Sequence, residues 1–321
     1  MCVSILSRVP LPSSIMSGLS TGPMLPPPSV DQPFIYVSAL EGGNIHIPCD
    51  LVVDGGPQGE SISCPSLAFS LRHSETKSWV VFDLGIRRDL EGYTPLAQER
   101  IKAMGFTPVV NQTVAESLVK GGVSLDQVEN IIVSHLHWDH IGDHEPFTKA
   151  TFVVGEGSRE LLTTGYPVNP DSFFSSTALP LERTRFLSPS DFNLPIGPFP
   201  LALDYFGDGS MYIIDAPGHI EGHINILART SSDGAWILLG GDSAHDYRLI
   251  TGEKEVAHSV DLSGRVRCMH GNKEEAVENI ARIRSLLGIP RVQVLIAHDS
   301  KWYEENKGSA FLPGVIPPLA L

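Results

Sequence analysis

Ser134-His135-Leu136-His137-Trp138-Asp139-His140 follows directly on the β-branched run Ile131-Ile132-Val133. A compact run of that kind suits a buried strand. His135 and His137 are two residues apart, so on leaving extended backbone they project from the same side, while Asp139 and His140 follow in the turn and face a second point. Three of the chain's 12 histidines and a carboxylate within six residues are too concentrated for a polar loop that merely contains histidine. Imidazole and carboxylate donors together suit borderline divalent cations such as zinc.

Strand-like segments surround this stretch. Ser66 to Arg72 and Trp79 to Phe82 flank the polar tip Ser74-Glu75-Thr76-Lys77-Ser78 and read as a hairpin that ends in Asp83-Leu84-Gly85. Residues 114–119 and 125–128 read as helical, 150–154 as a strand, 158–163 as a helix and 167–194 as a long loop. Strands recur at 201–205, 211–214, 224–228, 236–239 and 292–296, the last just before His298. Apolar positions Ala276, Val277, Ile280, Ile283, Leu286 and Leu287 mark an amphipathic helix over 273–287 that Gly288 and Pro290 stop. Histidines placed after strand ends predict a layered α/β domain with its site along one sheet edge. Seven prolines before Phe34 predict a flexible extension over residues 1–32 and a single globular domain over 33–321.

The chain has 321 residues, 42% of them apolar, enough for a large core. Its net charge of −14 opposes binding to the phosphates of nucleic acid or to an anionic membrane. No apolar run reaches the roughly 18 residues that a membrane span needs. Cys2, Cys49, Cys64 and Cys268 are too sparse for a disulfide scaffold and are expected as reduced thiols, with a Cys49–Cys64 bridge as the alternative. A cytoplasmic protein that meets a small molecule is the expectation; oligomeric state is not encoded in any of these features.

His-x-His-x-Asp-His after an apolar strand resembles the signature of the metallo-β-lactamase superfamily, and four further landmarks stand in that family's order. These are Asp83-Leu84-Gly85, Ala216-Pro217-Gly218-His219 with His223 beyond it, Gly240-Gly241-Asp242-Ser243, and Ala297-His298-Asp299. The resemblance implies a four-layer αββα sandwich and two divalent metal ions, zinc by default, with manganese, iron or cobalt also suited to these donors. It implies that His135, His137 and His219 hold one ion, that Asp139, His140 and His298 hold the other, and that Asp242 bridges them. The reaction implied is hydrolysis by a hydroxide shared between the metals. His223 is implied to support its loop.

Ser-His-Leu-His-aromatic-Asp-His and the Ala-His-Asp ending are most similar to the N-acyl homoserine lactonase-like group, which opens cyclic esters. That group carries a tyrosine three residues beyond the bridging aspartate, where this chain has His245, with Tyr247 two residues later. A histidine there can donate a proton to a departing alkoxide or amide nitrogen. Asp139 and His245 are therefore the expected catalytic residues, and a lactone or a lactam the expected substrate. A phosphotriesterase- or arylsulfatase-like hydrolase, or a binding protein on the same scaffold, are the alternatives. His46, His73, His144, His258 and His270 are expected to be solvated or supporting, Trp138 to pack beside the site, and Phe173-Phe174 to line a pocket or anchor a loop.

Overall fold

A computed structural model describes residues 24–260 and 266–320. Its frame is a pair of six-stranded sheets, each laid out in chain order. The first contains β1 (Ile35–Leu40), β2 (Ala68–His73), β3 (Trp79–Phe82), β4 (Val128–Ile132), β5 (Thr151–Gly155) and β6 (Thr184–Leu187). The second contains β7 (Leu194–Ile196), β8 (Phe199–Asp204), β9 (Met211–Asp215), β10 (Ile224–Arg229), β11 (Trp236–Leu239) and β12 (Val292–Leu295). Pairing is antiparallel from β1 to β3 and parallel from β3 to β6; in the second sheet only β11 and β12 run parallel.

Register explains the layers. Phe82, Ile132 and Val153 are cross-strand neighbours, as are Ile213 and Ile226, Ile226 and Leu239, and Leu239 and Leu295, and all of them pack in one core between the sheets. The alternate residues Val81, Ile131 and Phe152 face outward to join Ala97, Ile101 and Leu118, while Leu227, Leu238 and Val294 join Ile280, Ile283 and Leu286. Period-two alternation thus gives helices, sheet, sheet, helices, the αββα sandwich expected. Strands buried on both faces read as continuous apolar runs. Each fully buried Ile or Phe contributes about 1.5–3 kcal/mol of burial.

The helix Lys273–Leu286 starts at Asn272, whose side chain accepts from the N–H of Glu275, and turns Ala276, Ile280, Ile283 and Leu286 inward. Residues 125–128, read as helical, form a single turn of 3₁₀ helix at Leu125–Gln127, and Val128 already begins β4. The span read as a loop over 167–194 contains β6, which forms because it completes the edge of the first sheet. A small sheet of Asn44–Pro48, Ser61–Pro65 and Thr107–Val109, and the helix Pro95–Ala103, add a wall beside the site. Cys49, Cys64 and Cys268 are free thiols. No described helix is long and apolar enough to cross a membrane.

The described end of the proline-rich extension is packed, contrary to the expectation of a flexible arm through residue 32. Leu25 enters the core, and the carbonyls of Pro26 and Pro27 accept from Arg229, which is 2% exposed and stacked over Trp236. Gln32 is buried and donates to the carbonyl of Asp208. Arg229 meets no carboxylate among the described residues, and a buried guanidinium so placed needs such carbonyls, which the rigid extended backbone of the prolines presents. Expectations for residues 1–23 lie outside the described residues.

Candidate metal centre

The landmark residues meet because they follow strand ends along one edge. His135 leaves β4, Pro217-Gly218-His219 leaves β9, Asp242 leaves β11 and His298 leaves β12. Gly218 (φ 118°) carries its loop so close to the helix Lys273–Leu286 that a Cβ would collide with the backbone of Ala276. Asp83, just past β3, sits in the left-handed region at φ 63°. Its carboxylate accepts from Ser134 N–H at 2.6 Å, Ser134 Oγ at 2.8 Å and His140 Nδ1 at 2.8 Å, bonds that outweigh a backbone strain of about 1–3 kcal/mol.

Two groups of donor atoms share Asp242, and a third, formed by His219, His245 and His270, stands beside them. His135 Nε2, His137 Nδ1 and His219 Nε2 stand 2.9–3.1 Å apart, and Asp242 Oδ2 is 3.8 Å from His135 and 3.6 Å from His219. Donors around a tetrahedral zinc at about 2.0–2.1 Å are separated by roughly 3.3 Å. In the second group, Asp242 Oδ1 lies 3.2 Å from both His140 Nε2 and His298 Nε2, and Asp139 Oδ2 is 3.8 Å and 3.5 Å from them. Although 3.2 Å apart, His140 Nε2 and Asp242 Oδ1 are buried and neither finds a hydrogen bond of good geometry among the described residues, an arrangement that fits a cation and is costly without one. All seven expected ligand residues therefore converge, and Asp242 offers one oxygen to each of the two groups that share it.

Electrostatics divides the groups. Burial, reinforced by neighbouring imidazoles, pushes His135 and His219 well below the usual histidine range; burial takes His137 down to about 4. Burial acts the same way on His140 and His298, but the Asp242 carboxylate overrides it and holds both well above that range. Burial would raise Asp242, and the surrounding His140, His298 and His245 instead hold its carboxyl well below the usual range.

Supporting contacts fix the donors. His223 Nδ1 bonds the carbonyl of Ala216 at 3.2 Å and its Nε2 accepts from Asp242 N–H at 3.1 Å, so it ties two ligand loops together. Tyr93 Oη donates to the carbonyl of Trp138 at 2.6 Å, and Ser66 Oγ donates to that of Asp139. His245 is buried, with Nε2 3.3 Å from Asp242 Oδ2 and its ring stacked 6.0 Å from that of His298.

Above the donors lies a cavity of about 300 Å³ lined by Phe106, Trp138, Phe173, Phe174, Met104 and Met269, among others. Phe174 stacks on His137 and Phe173 meets the same ring edge-on, each at 6.2 Å, so the phenylalanine pair lines the pocket; Thr94 Oγ1 also anchors the Phe173 carbonyl. Trp138 packs on Phe106 and Tyr93. Arg100, Met104 and Phe106 come from segments for which the sequence reading assigned no role. Thr94-Pro95, an N-cap followed by proline in the first turn, was the available signal. His270, expected to be solvated or supporting, is buried with Nδ1 3.3 Å from Nδ1 of His219. His46 and His258 are exposed, His144 bonds the carbonyl of Thr177, and His73 pairs with Asp208.

Two facing sheets flanked by helices, with a histidine and aspartate centre along one edge, define a class of metallohydrolase fold, and the comparisons agree. A model of the metallo-beta-lactamase superfamily matches residues 64–232. The chain belongs to that superfamily. It is 35% identical over 234 residues to gamma-lactamase FDB1 of Fusarium pseudograminearum, covering 70% of this chain and 56% of that protein. It is 41% identical over 172 residues to gamma-lactamase MBL2 of Gibberella moniliformis, covering 52% of this chain and 70% of that one. The chain thus spans little more than half the length of the first of these relatives. Its fold matches the AiiA structure from B. thuringiensis with N-decanoyl-L-homoserine bound, at TM-score 0.65 and 17% identity, over 88% of this chain and 98% of that one.

Proposed function

We propose that the chain is a dinuclear metal-dependent hydrolase that opens a small cyclic ester or amide. The observation that carries this reading is the sharing of Asp242 between two groups of donor atoms at the floor of an aromatic cavity. His135, His137 and His219 are assigned to one cation, Asp139, His140 and His298 to the other, and Asp242 to both. Zinc is the metal assigned, with manganese, iron and cobalt compatible with the same oxygen and nitrogen donors. When bound, two such cations would supply an activated water and polarise the ring carbonyl.

This chain's own residues do the remaining work. The aromatic walls hold a flat ring over the centre and exclude bulk water. Asp139 fixes one edge of the donor set, and His245, not needed as a ligand, donates a proton to the departing oxygen or nitrogen. The names of relatives as gamma-lactamases, and of another from Azorhizobium caulinodans as an N-acyl homoserine lactonase, support lactam and lactone as the substrate classes. The free thiols suit the reducing cytoplasm as its location. The test is metal analysis of the purified protein together with a panel of lactone, lactam, phosphotriester and aryl sulfate. About two metal ions per chain and turnover of a lactone or lactam are expected. Turnover of only the phosphotriester or aryl sulfate moves the reaction to those centres, and absence of bound metal overturns the proposal.

A further inference from the structure

An imidazole that presents a lone pair to a metal carries its proton on the other nitrogen, and that N–H needs an acceptor. For His140 the acceptor is Asp83 Oδ2 at 2.8 Å, for His298 the carbonyl of Pro65 at 2.8 Å, and for His135 the hydroxyl of Ser134 at 3.0 Å. His219 differs from these three. Its Nε2 faces His135 and His137, while its Nδ1 meets no oxygen among the described residues and instead meets Nδ1 of His270 at 3.3 Å. Two facing ring nitrogens can share only one proton. With the lone pair of His219 committed at Nε2, the proton lies on its Nδ1, His270 accepts it, and the proton of His270 itself lies on Nε2.

The backbone around His270 is held for this contact. The N–H of His270 donates to the sulfur of Cys268 at 3.4 Å, and the Cys268 thiol donates back to the His270 carbonyl at 3.1 Å. Gly271 N–H donates to the carbonyl of His219 at 2.8 Å and Asn272 N–H to that of Gly218 at 2.9 Å, which laces the two loops together. His270 is 5% exposed, its Nε2 is buried with no hydrogen-bond partner among the described residues, and with His219 and His245 it forms a third group of possible donor atoms, so the ligand role is the alternative that the test must separate. We propose that His270 is a positioning residue that fixes the tautomer and ring plane of His219 by accepting its Nδ1–H. The inference rests on the metal centre proposed above.

The test compares the parent with His270→Phe, which keeps a ring and removes the acceptor, and with His270→Asn, whose Oδ1 can accept in place of Nδ1. Zinc affinities come from competition with a chelator, and the melting temperatures of the metal-free proteins report on the fold alone. His270→Phe should weaken one of two zinc ions about 10- to 100-fold, His270→Asn should recover most of that loss, and the three metal-free melting temperatures should agree. Long-range proton–nitrogen NMR spectra of the zinc-loaded parent should place the His270 proton on Nε2, a readout that needs no variant to fold. Parent-like zinc binding by His270→Phe, equal weakening in both variants, or a proton on His270 Nδ1 would overturn the role. Loss of a third zinc ion from His270→Phe would make the residue a ligand and overturn it as well. A parent that binds no zinc overturns the metal centre itself, whereas a parent that binds two with an indifferent His270 overturns only this inference.

Discussion

The carboxylate of Asp83 lies 2.8 Å from Nδ1 of His140, although 57 residues separate them in the chain. The same carboxylate also receives the backbone N–H and the hydroxyl of Ser134, so one side chain fixes both the strand exit and the far nitrogen of a donor histidine. Asp83→Asn tolerates the same left-handed backbone but has only one acceptor oxygen. Its NH2 would then face a ligand N–H or disrupt a Ser134 bond. Metal affinity at the His140 side should fall about 10- to 100-fold, and stability by about 1–3 kcal/mol. Chelator competition and thermal melting check the two separately; an unchanged affinity would show that Asp83 serves the turn alone.

Asp242 offers Oδ1 to one donor group and Oδ2 to the other. Asp242→Asn keeps the shape and removes the charge that would offset the two proposed cations, so both metal retention and turnover should drop, with excess metal restoring occupancy better than rate. His298→Ala should empty mainly the position it shares with Asp139 and His140. Elemental analysis after gel filtration distinguishes these patterns, and unchanged stoichiometry in His298→Ala would remove that residue from the set.

His245 reaches Asp242 and lies outside the two donor groups that share Asp242, while with His219 and His270 it forms a third. A general acid contributes about 10²- to 10⁴-fold in rate, and most where the leaving group is poor. His245→Ala should therefore keep its metal content, slow an unactivated lactone or lactam strongly and slow an activated aryl ester far less. Equal slowing of both would point to a positioning role, and loss of metal would make His245 a ligand.

Arg229 holds the carbonyls of Pro26 and Pro27 from a fully enclosed position. Deleting residues 1–28 strips two acceptors from a buried cation and removes Leu25 from the core. An unsatisfied buried donor costs about 1–3 kcal/mol, more when charged, so the melting temperature should fall while the donor groups around Asp242 stay intact. A melting temperature equal to that of the full chain would show that water replaces the prolines at no cost.

The histidine run after Ile131-Ile132-Val133 was legible because its chemistry is local: a buried strand, two imidazoles at a spacing of two, and a turn that swings Asp139 and His140 to a second point. The same holds for the strands 211–214, 224–228 and 236–239, where burial on both faces leaves apolar runs, and for the helix after Asn272, where periodicity and the Gly288-Pro290 stop suffice. The small sheet and the helix Pro95–Ala103 were not placed, because short segments with mixed polar faces gain their structure from docking on the domain. The sequence by itself determined the class of fold and pointed to the seven histidine and aspartate residues that the structure brings together around Asp242. Only the tertiary structure decided which nitrogen each histidine turns toward the centre, that Asp83 and His270 hold two of those rings, and that Phe106 and Phe174 share a cavity. Those are relations between residues tens of positions apart, set by how two sheets pack, and no spacing along the chain encodes them.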